Sequence, residues 1–281
     1  MRRVALALSF LFLGGCTTEP KGPPPVVERM YVIDCGESHV KDLSRWTPSF
    51  NVGTPYVFSN HCYLIKHTAG WMLWETGYAD ALAALPGGQT MAGGRLTAFL
   101  KKPLVESLQE IGVSPADIKH MAMSHAHGDH AGNANLFHAS TVYMQAREFD
   151  AMFGSTPQKF GFVAANFDKL KGAKLVRVNG DHDVFGDGNV LIKSAPGHTP
   201  GHQVLVVRLP KTGPVMLSGD MVYLLQSWEK RLAPSLDFDP RQSLRSIDAM
   251  KAYARETGAK LWVNHDREQQ ASIPKAPAFV E

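Results

Sequence analysis

Ser124-His125-Ala126-His127-Gly128-Asp129-His130 packs three imidazoles and a carboxylate into one short run. Nitrogen and oxygen donors at that density suit one or two borderline metal ions, zinc foremost. A single histidine is ordinarily a packed or solvated side chain, but four donors at this spacing exceed what packing requires. Three more donors sit in similar surroundings further along. They are His198 in Gly197-His198-Thr199-Pro200-Gly201-His202, Asp220 in Ser218-Gly219-Asp220, and His265 in Asn264-His265-Asp266.

His125, His198, Asp220 and His265 each follow a short apolar run that reads as a strand: Ile118 to Met123, Val190 to Ser194, Val215 to Leu217, and Leu261 to Val263. Four strand ends carrying four donors imply one shared edge of a sheet sandwich, a rigid scaffold presenting a loop-borne site. Met30 to Asp34 predicts another strand. Cys62 to Lys66 and Trp71 to Glu75 predict a hairpin around Ala69-Gly70, and Gln203 to Leu209 with Val215 to Leu217 a second. Helices are expected over Ala146 to Phe153 and Asp239 to Thr257. Helical spacing also runs through Leu96 to Ile111, interrupted or capped at Pro103, and a helix-like stretch opens at Ala131. Tyr78 to Gly94, rich in Ala and Gly, reads as a long loop. The polar, Pro-containing C-terminal tail is expected to contribute little.

The 281 residues, 44% hydrophobic and 20% charged, describe a globular chain with ample core material. A net charge of +3, with no Lys/Arg run, argues against nucleic acid as a partner. The first sixteen residues read as an address. Arg2 and Arg3 precede the apolar stretch Val4 to Leu13, which has the length of a secretory h-region and is too short to span a bilayer. Leu13-Gly14-Gly15-Cys16 has the form of a bacterial lipobox, in which Cys16 becomes the lipidated first residue of the mature protein. That predicts an extracytoplasmic lipoprotein, periplasmic or at the cell surface. Thr17 rather than aspartate after the cysteine points to the outer membrane. Residues 17–28 are Pro-rich and read as a tether, with the folded domain over 29–281. For Cys35 and Cys62, both in strand-like runs, a disulfide and two buried thiols fit equally.

The HxHxDH run at His125 to His130, then His198, Asp220 and His265 in their motifs, resemble the metallo-β-lactamase fold superfamily in order and context. The resemblance covers Met30 to Arg267. It implies an α/β fold, a four-layered αββα sandwich with a dinuclear zinc site at one edge of the two sheets. His125, His127 and His198 would then hold the first metal, Asp129, His130 and His265 the second, and Asp220 would bridge them. Two such ions acidify water and polarise an electrophile.

Two details narrow the branch. The true β-lactamase branches lack a carboxylate at the position of Asp220. Tyr223, three residues further on, resembles the tyrosine of the N-acyl-homoserine lactonase branch, which would hydrogen-bond the substrate carbonyl; the same residue also reads as a core aromatic. The resemblance therefore implies opening of the lactone ring of N-acyl-homoserine lactones, with Asp129 and Tyr223 as catalytic residues. A β-lactamase, a thioesterase, a phosphodiesterase and a zinc-binding lipoprotein without chemistry remain as rivals. His202 and His61 are expected to be structural, and Glu75 replaces the usual aspartate beneath the metal loop. Trp46, Phe50, Met152, Phe153, Phe160 and Phe162 are candidates for an acyl-chain groove, and each also reads as core.

Overall fold

The computed structural model describes residues 27–281. The expected signal sequence, Cys16 and most of the tether lie outside the described residues. The tether's last two residues, Val27 and Glu28, belong instead to the first strand. Among the described residues no helix is long and apolar enough to cross a membrane.

The elements follow in chain order. Val27–Val40 (β1), Tyr56–His67 (β2), Gly70–Trp74 (β3), Gln89–Met91 (β4) and Leu96–Phe99 (β5) lead to helix Leu104–Glu110 (α1). Next come Ile118–Ala122 (β6), Thr141–Gln145 (β7), helix Ala146–Phe153 (α2), Lys174–Val178 (β8), His182–Asp183 (β9), Val190–Ser194 (β10), Gln203–Leu209 (β11) and Gly213–Leu217 (β12). Helices Leu225–Lys230 (α3) and Pro240–Thr257 (α4), strand Lys260–Trp262 (β13) and helix Arg267–Ala271 (α5) complete the chain. One sheet has the order β4-β5-β1-β2-β3-β6-β7-β8, the other β13-β12-β11-β10-β9.

Strand alternation builds the layers, because successive side chains point to opposite faces. Val32, Tyr63, Ile65, Met72 and Trp74 from the first sheet meet Ile192, Leu205, Val207 and Leu217 from the second in a buried inter-sheet core. The opposite parity, Tyr31, Ile33, Leu64 and Leu73, packs outward beneath α1 and α2 through Leu104, Leu108 and Met152. On the second sheet Val204, Val206 and Met216 pack against Ile247 and Met250 of α4. This is the four-layered αββα sandwich that the family resemblance implies.

Four readings of the chain need correction. Leu96 to Ile111 is not one helix: Leu96–Phe99 pairs with β1, and the helix starts only after Pro103 as its N-cap. Tyr78 to Gly94 is not a plain loop, since Asp80–Ala84 is a 3-10 turn and Gln89–Met91 pairs with β5. The stretch from Ala131 yields only a 3-10 turn at Ala134–Phe137, because the Gly132 N–H leaves the helical path to reach the Gly77 carbonyl at 2.8 Å. The tail does contribute: Val280 bridges Met30, the Glu281 carbonyl accepts from the Thr212 N–H, and Ile273 enters the inter-sheet core. Cys35 and Cys62 form a disulfide, which settles the open alternative.

Candidate active site

β6, β10, β12 and β13 end at one edge of the sandwich, and the turns that follow them carry the donors. The donor atoms of His125, His127, His198 and Asp220 all lie within 4.8 Å of one another, as do those of Asp129, His130 and His265. Asp220 joins the two groups: its Oδ1 is 2.9 Å from His130 Nε2 and from His265 Nε2, and its Oδ2 is 3.3 Å from His198 Nε2. All seven predicted donors are therefore brought together. Two glycines make this approach possible. Gly197 has φ +137°, and a Cβ there would lie 2.3 Å from the Ser243 nitrogen of α4. A Cβ on Gly219 would lie 2.4 Å from Ser124 Cβ, so the Asp220 turn can sit against the His125 turn only with glycine there.

The outward nitrogens of the imidazoles fix which inward atom is free. His127 Nε2 donates to the Phe160 carbonyl at 2.8 Å, His265 Nδ1 to the Ser59 carbonyl at 2.7 Å, and His198 Nδ1 to Asp237 at 2.8 Å. Each thereby turns its other nitrogen inward. His125 Nδ1 meets Ser124 Oγ at 2.9 Å, and His130 Nδ1 lies 3.3 Å from Glu75 Oε1. His127 Nδ1 and His198 Nε2 converge to 3.1 Å, and the buried His130 Nε2 faces Asp220 Oδ1 at 2.9 Å. Five imidazoles converging on one buried carboxylate require positive charge among them, supplied by protons or by metal ions. The donor set therefore fits metal ions.

The electrostatics agree. Burial pushes His125 well below the ordinary histidine range and His127 down to about 4, so both stay neutral and able to ligate. Burial also opposes protonation of His198, but its hydrogen bonds to Asp220 and Asp237 raise it to about 10. Burial opposes the charge on Asp220, yet His265, His130 and His125 hold it well below the carboxylate range. Asp220 thus draws positive charge to the spot where a cation would sit.

Tyr223 donates to Asp220 Oδ2 at 2.5 Å and stacks on His265, with ring centroids 5.0 Å apart. It also packs with Trp46 and Phe58, so its two readings coincide in one residue. Asp129 differs from Asp220 in access: its side chain is 23% exposed against 1%. His202 is structural. Its Nδ1 donates to the Ala195 carbonyl, and its Nε2 accepts the Asp220 N–H at 3.0 Å, while burial holds its pKa down at about 3. His61 lies against Asn264, buried and held neutral in the same way.

Two supporting residues carry no mark in the motifs. Asp237 orients His198. Glu148, fully buried on α2, accepts from the Ala126 N–H at 3.1 Å, from Thr199 Oγ1 at 2.8 Å and from the Gly201 N–H at 2.8 Å. It ties the His125 turn to the His198 turn. Burial raises its carboxyl to about 7 against the pull of those three donors. The only sequence signal is a glutamate four residues before Met152, on the buried stripe of α2.

The cluster opens into a cavity of about 850 Å³. Leu82, Leu85, Met91 and Leu96 form one wall, and Phe160, Val163, Leu236 and Phe238 another. Of the groove candidates, Trp46 and Phe160 line it. Phe50, Met152, Phe153 and Phe162 do not. Met152 and Phe162 are buried in the core between the first sheet and its helices, Phe153 packs against that core, and Phe50 lies against the Lys230 ammonium.

Residues 55–257 match the metallo-beta-lactamase superfamily model. The chain belongs to the metallo-beta-lactamase superfamily. It is a hydrolase of that superfamily, and its relatives narrow the comparison. It is 34% identical over 263 residues to the N-acyl homoserine lactonase AttM of Agrobacterium fabrum, covering 89% of this chain and 98% of that one. It is 32% identical over 265 residues to the AttM of Azorhizobium caulinodans, covering 90% and 98%. A solved N-acyl homoserine lactone hydrolase, holding the product N-hexanoyl-L-homoserine at its catalytic metal centre, superposes with a TM-score of 0.78. That match has 25% identity and covers 91% of this chain and all of that one.

Proposed function

We propose that this hydrolase opens the lactone ring of N-acyl-homoserine lactones with two zinc ions, and so quenches quorum signals. The observation that carries the reading is a seven-donor His/Asp cluster, capped by the Tyr223 hydroxyl, at the floor of an apolar cavity of about 850 Å³. That volume suits a ligand with one polar head and an alkyl arm. Relatives named for this activity, matched along almost their whole length, support it.

His125, His127 and His198 would hold one ion, Asp129, His130 and His265 the other, and Asp220 both. When bound, the ions would supply polarisation of the ring carbonyl and acidified water. In ring opening a hydroxyl adds at the carbonyl carbon, the ring C–O bond breaks, and the departing alkoxide takes a proton. Asp129, partly open to the cavity, would take up the proton shed by the attacking water and pass it to that alkoxide. Burial and the nearby Asp220 and Asp129 charges raise the Tyr223 phenol well above its ordinary pKa, so it stays a donor and can turn from Asp220 to the oxyanion. The apolar walls receive the acyl chain.

The N-terminal pattern and the Cys35–Cys62 disulfide support an extracytoplasmic location with lipid anchoring at Cys16.

The reaction is tested by product analysis after turnover of N-hexanoyl-homoserine lactone in ¹⁸O-water. Ring opening incorporates one labelled oxygen into a new carboxylate and leaves the amide intact. Release of hexanoate, which requires amide cleavage, would overturn it.

A further inference from the structure

On the cavity wall, two hydroxyls that the proposed chemistry does not use face each other. Ser38 Oγ and Tyr78 Oη are 2.6 Å apart, and both residues line the cavity together with Asp129, Asp220 and Tyr223. Both are buried, at 5% and 4% exposure. Their positions are rigid. Ser38 is paired on both sides, with Phe58 of β2 and Ala98 of β5. The Tyr78 carbonyl accepts from Asn133 Nδ2 at 2.7 Å, and the Tyr78 ring fits against Gly36, where a Cβ would lie 2.8 Å from Tyr78 Cδ2.

The pair brings two hydroxyl protons to one mutual hydrogen bond. Whichever residue donates, the other keeps a proton, and among the described residues neither hydroxyl has another partner. A buried hydroxyl proton without an acceptor is costly, so the site wants an acceptor from the cavity. Leu82, Leu96 and Ala98 adjoin Tyr78, so the spare donor sits where the His/Asp floor gives way to the apolar wall. A lactone ring whose carbonyl meets the floor and Tyr223 would place the first atoms of its acyl arm at that boundary. The acceptor oxygens there are the amide carbonyl and, in substituted substrates, an oxygen on carbon 3.

We propose that Ser38 and Tyr78 form a specificity-determining pair that donates one hydrogen bond to an acyl-arm oxygen of the substrate. The inference rests on the lactonase reading. Because either hydroxyl can supply the proton, Ser38→Ala and Tyr78→Phe each keep one donor, and only the double variant removes it.

The test is steady-state turnover of N-hexanoyl- and N-(3-oxohexanoyl)-homoserine lactone by the zinc-loaded protein. The double variant should raise KM about tenfold with kcat and metal content retained, while the single variants lose several-fold less. Equal losses on both substrates assign the contact to the amide oxygen, and a loss confined to the 3-oxo substrate assigns it to carbon 3. If the double variant does not fold, Ser38→Thr/Tyr78→Phe and Ser38→Val/Tyr78→Phe are isosteric and differ only in the hydroxyl; the first should bind several-fold more tightly. An unchanged KM, or a fall in kcat alone, would overturn the pair. Failure of the unaltered protein to open either lactone would instead overturn the lactonase reading.

Discussion

Tyr223 makes the most direct claim at the level of single residues. Its hydroxyl already bonds Asp220 at 2.5 Å, and its ring is locked between Trp46, Phe58 and His265. Tyr223→Phe keeps the ring and the packing, so both metals should stay bound while kcat falls roughly 100-fold, the cost of one oxyanion donor. Metal analysis beside steady-state kinetics checks this; loss of metal would place Tyr223 in the binding set. Glu148 acts further out. Its carboxylate receives three donors from the two histidine-bearing turns, and a glutamine would turn an amide N–H₂ toward at least one of them. Glu148→Gln should weaken metal affinity about 10- to 100-fold with Ser38, Tyr78 and the cavity wall untouched. Competition against a chromogenic chelator reads that directly. The seven donors were legible because each stands in a motif or directly after an apolar run. Glu148 and Asp237 were not, because their partners lie 22 to 53 residues away from one and 39 from the other, and only the folded chain brings them together.

At the level of elements, the strand ends positioned the site, while the corrections fell where pairing overrode local pattern. Leu96 to Phe99 has helical spacing, but β1 offers it a ladder. Pro103 then supplies the break from which α1 starts. The Ala/Gly-rich segment around β4 carried no periodicity to read, yet it builds one cavity wall. The disulfide ties β1 to β2 beside a bulge, with Gly77 behind it: a Cβ there would lie 2.5 Å from Cys35 Cβ. Replacing both cysteines by serine opens a 27-residue loop and should cost about 3 kcal/mol in urea unfolding. At the opposite edge, burial lowers the His120 pKa below 6.5, and the nearby His67 and Lys174 add to the shift. The folded state therefore binds this proton less readily than the unfolded chain. The contribution is intact above pH 6.5 and is lost as pH falls through the lower folded value. Unfolding free energies measured from pH 7 to 5 should decline less steeply in His120→Gln than in the unaltered protein.

For the whole molecule, the sandwich gathers donors from both sheets at one edge, and the tail closes the fold by bridging β1 through Val280. β1 runs from Val27, paired with His67, to Val40, with Ser38 lining the cavity near that end, so the chain enters the domain at the end of β1 away from the site. The shared edge was readable from the four strand ends, which a common metal site requires to coincide, whereas the layer order came from the resemblance to the metallo-β-lactamase fold superfamily. The shape of the cavity was not, since its walls come from turns whose conformations depend on the sheets beneath them. The central claim is that this edge is a two-metal lactone-opening site. Its most direct test is acid release on adding N-hexanoyl-homoserine lactone to the chelator-stripped protein as zinc is titrated back. Acid release should be absent at first and reach its maximum at two zinc ions per chain. Acid release by the stripped protein, or none at any zinc loading, would contradict it.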